Sequence, residues 1–182
     1  MNRDALVALL RTPDPLRAAE LAGVAPGGLV TYSRSPMPAW WLVDTDAERP
    51  VAAHRAAHAA GTPSVAVVAY GAGIPAAQTV DRLIALGELA HETGMLRAVS
   101  PVPGEGDATR PGSWGVEDLA VIALARHLMP PTTLVRPDWV HLGPAASQIA
   151  VAFGATDWQI PPDDHTDAEW LAGAVGYRAV AR

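Results

Sequence analysis

The stretch that decides the fold is Ser64-Val65-Ala66-Val67-Val68-Ala69-Tyr70. It is a near-continuous apolar run of β-branched and small residues, the pattern of a strand buried on both faces. Gly71-Ala72-Gly73 breaks the run. A helix over Pro75 to Thr93 follows, with Val80, Leu83, Ile84 and the Leu86 to Leu89 segment on one broad face and Gly94 as its stop. Upstream, Val51 to Ala60 reads as a helix ending at Gly61. A buried strand set between two helices is the unit of a parallel α/β sheet.

The same alternation continues downstream. Leu96 to Ser100 predicts a strand, and Pro101 to Gly115 a long loop with three prolines and four glycines; irregular connections of that length are commonly functional. Val116 to Met129 is a helix stopped by Pro130-Pro131. Thr132 to Val135 is a strand, Trp139-Val140 a further extended stretch, and Pro144 opens a helix to Phe153. Thr156 to Ile160 is the final strand and Asp167 to Val175 a terminal helix. Toward the N-terminus, Asn2 caps one helix and Asp14-Pro15 opens a second, ended by Gly23. Gly27-Gly28 turns the chain into a strand over Leu29 to Ser33. From Arg34 to Pro50 the signal is irregular, with Pro36, Pro38 and Pro50 excluding a long regular element, and Trp40-Trp41-Leu42-Val43 reads as either a short strand or a packed loop. The fold class is α/β, with parallel strands and right-handed crossovers.

Composition narrows the functions. A chain of 182 residues fits one domain, 1–182, in which 1–35 supplies N-terminal helices and a first strand, 36–50 an irregular segment and 51–182 the regular alternation. The formal charge is −6, all 13 basic residues are arginine, and they are scattered rather than clustered. Neither a phosphate-tracking groove nor a polybasic membrane patch is present, so no nucleic acid and no membrane partner is expected. The absence of cysteine removes disulfides, thiolate metal sites and iron–sulfur clusters. No cofactor and no metal is expected. Met1 to Leu10 lack a basic region followed by an apolar stretch, so no signal peptide is expected and the location expected is cytoplasmic.

Several segments carry a family resemblance. AHRAAHAAGTPSVAVVAYG (53–71), TVDRLIALGELAHETG (79–94), GVEDLAVIALARHLM (115–129), DWVHLGPAASQIAVAFGATD (138–157) and AGAVGYRAVAR (172–182) resemble, in order, the C-terminal half of one radical-SAM family. Its members are aminofutalosine synthase, dehypoxanthine futalosine cyclase and the deazaflavin-forming FO synthase. The resemblance implies a (β/α) barrel with its cysteine-bearing half missing. Where the family binds a 4Fe–4S cluster through three cysteines, this chain reads Ser35-Pro36-Met37-Pro38-Ala39-Trp40-Trp41. After Tyr70-Gly71, where the family carries histidine and glutamate, it has Ala72 and Ile74. The implied architecture is a partial barrel of about five mainly parallel strands in the parent order 5-6-7-8-1, since a full barrel needs about 250 residues. Such an arc would expose two edges and an unclosed inner face.

Ligands of parallel α/β sheets sit beyond the strands' carboxyl ends. That rule selects Ser33, Arg34, Ser100, Glu105, Asp157 and Gln159 as ligand-binding candidates, and Tyr70, Asp138 and His141 as candidates for acid–base catalysis. His54 and His58 have the i,i+4 spacing of a helical metal pair, but lack the glutamate of the zinc-protease motif. Asp163, Asp164, His165 and Asp167 are read as a helix start. Two functions follow. The first is a cluster-free, non-catalytic partner or ligand-binding protein, linked by the resemblance to menaquinone synthesis through futalosine. It would act as a homodimer or in complex with a larger radical-SAM-like protein, with a small-molecule ligand. The second is a non-radical acid–base enzyme using Tyr70, Asp138 and His141.

Overall fold

The computed structural model describes residues 1–38, 41–44, 49–104 and 115–182. In chain order the elements are α1 (Arg3–Arg11), α2 (Pro15–Ala22), β1 (Leu29–Ser33), β2 (Leu42–Val43), α3 (Val51–Ala59), β3 (Ser64–Tyr70), α4 (Ala76–Thr93) and β4 (Leu96–Pro103). They continue with α5 (Val116–Leu128), β5 (Leu134–Val135), α6 (Trp139–Ala150), a 3-10 turn over Val151–Phe153, β6 (Asp157–Gln159), α7 (Ala168–Gly173) and β7 (Arg178–Ala181). Among the described residues no helix is long and apolar enough to cross a membrane.

Every strand pairing is parallel. The strands form two sheets, β2-β3-β4-β5 and β6-β1-β7. Thr156 stitches them together: its N–H donates to the Val135 carbonyl at 2.9 Å and its hydroxyl accepts from Val135 N–H at 2.9 Å. Its own carbonyl then accepts from Thr31 N–H at 2.9 Å. The path across the molecule is therefore β2-β3-β4-β5-β6-β1-β7, an arrangement compatible with a partial (β/α) barrel.

β7 was not foreseen, and of the two readings open for Trp40 to Val43 the short strand is the one formed, at Leu42–Val43. β7 pairs with β1 and β2 pairs with β3, so both edges expected to lie open carry an additional short strand. Trp139-Val140, read as extended, is instead the first turn of α6. Asp138 caps that turn, its Oδ1 accepting from His141 N–H at 3.4 Å. The turn ends at Gly143 (φ 70, ψ 174), and Pro144 reopens the helix, so the expected start there is retained inside a longer element. The Pro101–Gly115 loop begins later than expected, because β4 runs on to Pro103.

The caps read from the sequence are present. Asn2 Oδ1 accepts from Ala5 N–H, Asp14 Oδ1 from Leu16 and Arg17 N–H, and Asp167 Oδ1 from Glu169 and Trp170 N–H. Each satisfies N–H groups that a helix start leaves unpaired.

The strand period of two sorts side chains between faces. Ala66, Val68 and Tyr70 of β3, Val99 of β4 and Val135 of β5 enter one core with Val80, Leu83 and Leu86 of α4 and the Ala120–Ala125 segment of α5. Val30, Trp158 and Ile160 enter a second core with Trp139, Leu171 and Tyr177. Trp139 and Trp158 meet there with ring centroids 5.7 Å apart. The alternate strand residues face away from the helices, on the inner face. Register brings Val65 beside Ala98, Val67 beside Ser100, Thr31 beside Asp157 and Ser33 beside Gln159. From β2 to β4 this inner face is mainly apolar; from β5 to β1 it is polar.

Candidate functional site

Asp157 is the centre of the polar half. It opens β6 directly after Thr156, and the alternation that buries Trp158 among the helices turns Asp157 inward. Its carboxylate is fully buried and accepts from three side chains. Thr31 Oγ1 donates at 2.6 Å and Arg136 Nε at 2.7 Å, while Arg182 donates through Nε at 2.8 Å and Nη2 at 3.1 Å. Burial alone would push this carboxyl up; the hydrogen bonds from Arg182 and Thr31 and the Arg136 charge more than offset it and hold its pKa below the ordinary aspartate value. Arg136 follows β5 immediately. Burial pulls its pKa down, and Asp157 opposes that effect.

Neighbouring polar groups lock this arrangement. Gln159 Nε2 donates to the Ser33 carbonyl at 3.2 Å and the Ser35 carbonyl at 2.9 Å, which fixes the amide and turns its oxygen toward Arg182 Nη2 at 3.4 Å. Ser33 Oγ donates to the Ser35 carbonyl at 3.2 Å, and Ser100 Oγ to the Arg136 carbonyl at 3.0 Å. Four of the sequence candidates, Ser33, Ser100, Asp157 and Gln159, thus share one hydrogen-bonded patch. Thr31, Arg136 and Arg182 complete it. Sequence reasoning passed over these three, although Arg136 sits at a strand's carboxyl end, where the rule that selected Asp138 applied equally.

Arg34 lies beside this patch with its guanidinium turned into the loop after β6. It donates to the carbonyls of Asp164 and Thr166, the latter at 2.6 Å. Asp164 is held in turn by Trp139 Nε1 at 2.7 Å and Thr166 N–H at 2.8 Å. The bonds from Thr166 and Trp139 take its pKa down to about 2.

The acid–base candidates are distributed differently. Tyr70 falls in the helix-facing register of β3, and its hydroxyl donates to the buried Asp118 of α5 at 2.7 Å. Burial and the Asp118 charge push the phenol far above its ordinary pKa. Asp138 is a helix cap, and His141 is exposed on α6. Glu105 lies outside the described residues, as does Trp40.

The two helical histidines do different things. His54 is fully buried with Nε2 3.3 Å from Asp44 Oδ2. His58 bridges the Thr93 and Ser64 hydroxyls at 2.8 Å each. Thr93 spends its proton on the Leu89 carbonyl, so His58 carries its own on Nδ1 and accepts from Ser64 at Nε2. Among the described residues no group of three or more histidine, aspartate or glutamate side chains could hold a metal ion. A groove of about 990 Å³ also lies between α1 and α2, lined by Met1, Ala5, Leu9, Pro13, Arg17 and Leu21. Its polar lining of Thr12, Asp14, Arg17 and Glu20 lies on the helical layer, away from the strand ends where parallel α/β sheets hold ligands.

No protein-family model matches the chain. Three curated proteins do, each named 5-amino-6-(D-ribitylamino)uracil--L-tyrosine 4-hydroxyphenyl transferase. The one from Archaeoglobus fulgidus is 30% identical over 109 residues, covering 57% of this chain and 32% of that protein. The one from Methanococcus aeolicus is 32% identical over 114 residues, covering 57% and 31%. The one from Methanosarcina barkeri is 31% identical over 113 residues, covering 56% and 30%. The matched region spans about a third of the length of these relatives. The chain is similar to these transferases over more than half its own length, which is compatible with the partial radical-SAM-like relative expected from the sequence.

Proposed function

We propose that this chain is a non-catalytic, cluster-free, radical-SAM-like protein that binds a small molecule on its inner face around Asp157, alone or as the partner of a larger radical-SAM-like protein. The observation that carries the reading is the division of polar groups. Ser33, Ser100, Asp157 and Gln159 converge on the inner face, while the Tyr70 hydroxyl, needed for the acid–base reading, is spent on Asp118 in the helical layer. The relatives' name supplies the ligand classes to try first: L-tyrosine and a ribityl-substituted aminouracil. The resemblance to futalosine-forming enzymes adds a purine nucleoside intermediate of menaquinone synthesis.

The test is calorimetric titration of the purified chain with these compounds, paired with product analysis. The reading requires saturable binding without turnover, weakened by Gln159→Ala and unaffected by His141→Ala. Turnover that His141→Ala lowers by about 100-fold or more, the usual scale for an acid–base group, would overturn it in favour of the enzyme. Sedimentation at micromolar concentration tests assembly. A homodimer, or a complex with a larger radical-SAM-like protein, supports the partner role; a monomer that remains alone with that protein contradicts it.

A further inference from the structure

We infer that the inner-face site takes an anionic group, a carboxylate or a phosphate, on the outward edges of Arg136 and Arg182. The inference rests on the ligand-binding reading above and adds the chemistry of the ligand. Its first support is a charge count. Two guanidinium groups converge on the single carboxylate of Asp157, with side-chain exposures of 8% for Arg136, 28% for Arg182 and 0% for Asp157. Among the described residues a surplus positive charge is therefore held in a partly buried place, in a chain whose formal charge is −6. Water screens such a charge weakly, so a second anion gains more there than on an open surface.

The second support is the donors left over. Arg182 spends Nε and Nη2 on Asp157 and Gln159, and Arg136 spends Nε and Nη2 on Asp157, with Nη2 also 4.0 Å from Met37 Sδ. Neither Nη1 has a partner among the described residues. Each Nη1 carries two N–H groups, and a guanidinium edge matches carboxylate or phosphate geometry. Asp157 thus positions both arginines through Nε and Nη2 and leaves each Nη1 without a partner among the described residues. Gln159, pinned by the Ser33 and Ser35 carbonyls, holds Arg182 from the other side.

The experiment titrates the full chain at constant ionic strength with inorganic phosphate, with L-tyrosine as a carboxylate, and with 4-methylphenol as a neutral control. The readouts are calorimetry and the arginine Nε–H resonances in isotope-labelled protein. The expected result is saturable binding of at least one anion, none of the phenol, and shifts at both Arg136 and Arg182. Arg182→Gln, checked for folding by circular dichroism, should weaken binding by ~10- to 100-fold, the scale of a lost charge-assisted hydrogen bond. Phosphate alone identifies a phosphorylated ligand, and tyrosine alone a carboxylate. Absence of saturable anion binding overturns the inference, as does unchanged affinity in folded Arg182→Gln. Should that variant not fold, the wild-type resonances decide: shifts elsewhere with none at these arginines overturn it equally. Saturable binding of neutral ligands alone sinks this inference and leaves the binding role intact.

Discussion

Asp157→Asn is the sharpest perturbation of the inner-face cluster. The substitution keeps the shape of the side chain and removes its charge. Asp157 is fully buried and holds Arg136 at 2.7 Å, Arg182 at 2.8 and 3.1 Å and the Thr31 hydroxyl at 2.6 Å. Removing one member of a buried ion pair costs about 3–5 kcal/mol, because the remaining charge is left without compensation. For a domain of this size each kcal/mol lowers the melting temperature by about 2–4 °C, so a fall of roughly 6–20 °C is expected. Arg182→Gln should behave differently. Arg182 is more exposed and lies just beyond an edge strand, and Asp157 keeps Arg136 and Thr31, so the loss should be about 1 kcal/mol or less. Arg136→Gln should fall between the two. Urea unfolding followed by circular dichroism reads all three. An Asp157→Asn protein within about 1 kcal/mol of wild type would refute the reasoning, as would Arg182→Gln costing as much as Asp157→Asn.

Other expectations follow from separate features. Burial depresses the pKa of His58 and His127 below 6.5, so the unfolded chain takes up their protons first; stability should fall as pH drops below about 6.5, with a slope that His58→Asn reduces in part and His58→Asn/His127→Asn reduces further. A Gly154→Ala protein should lose about 1–3 kcal/mol in the same urea assay, because φ is 101° there and a Cβ would meet the Arg126 Cβ and Cγ at 2.5 Å. Anaerobic reconstitution with iron and sulfide should yield no 4Fe–4S absorbance, and the protein alone should not cleave S-adenosylmethionine, since the sequence supplies no cysteine ligand. A stoichiometric cluster signal would contradict that expectation.

Local signals in the sequence were reliable where one residue type performs one mechanical task. Asn2 and Asp14 cap as read, and Gly23 and Gly94 close α2 and α4 in the left-handed conformation with φ of 60° and 63°. The Ser64–Tyr70 strand forms with its expected bounds because its apolar run has no competing pattern. β7 escaped, and β2 stayed open between strand and packed loop, because a strand of two or four residues shows no measurable alternation; pairing along an edge creates it. Trp139 escaped for another reason. Asp138 can end an extended stretch or cap a helix, and the contact with Trp158 favours the helix.

The candidate site was half legible. Ser33, Ser100, Asp157 and Gln159 were found because strand carboxyl ends are local features. Arg136 and Arg182 were missed because their importance lies in meeting Asp157, which only the tertiary fold arranges. Tyr70 was placed at the right strand end but on the wrong face. Its position in the alternation with Ala66 and Val68 assigns it to the helices, and that alternation was hidden by a strand apolar on both sides.

The most direct test of a binding role centred on Asp157 is a nitrogen–proton NMR titration with L-tyrosine and a ribityl-aminouracil, with the same sample checked for product. The account predicts saturable shifts at Thr31, Ser33, Arg136, Asp157 and Gln159, with both compounds recovered unchanged. Shifts confined to the surroundings of Tyr70, Asp138 and His141, or product that His141→Ala abolishes, would contradict it.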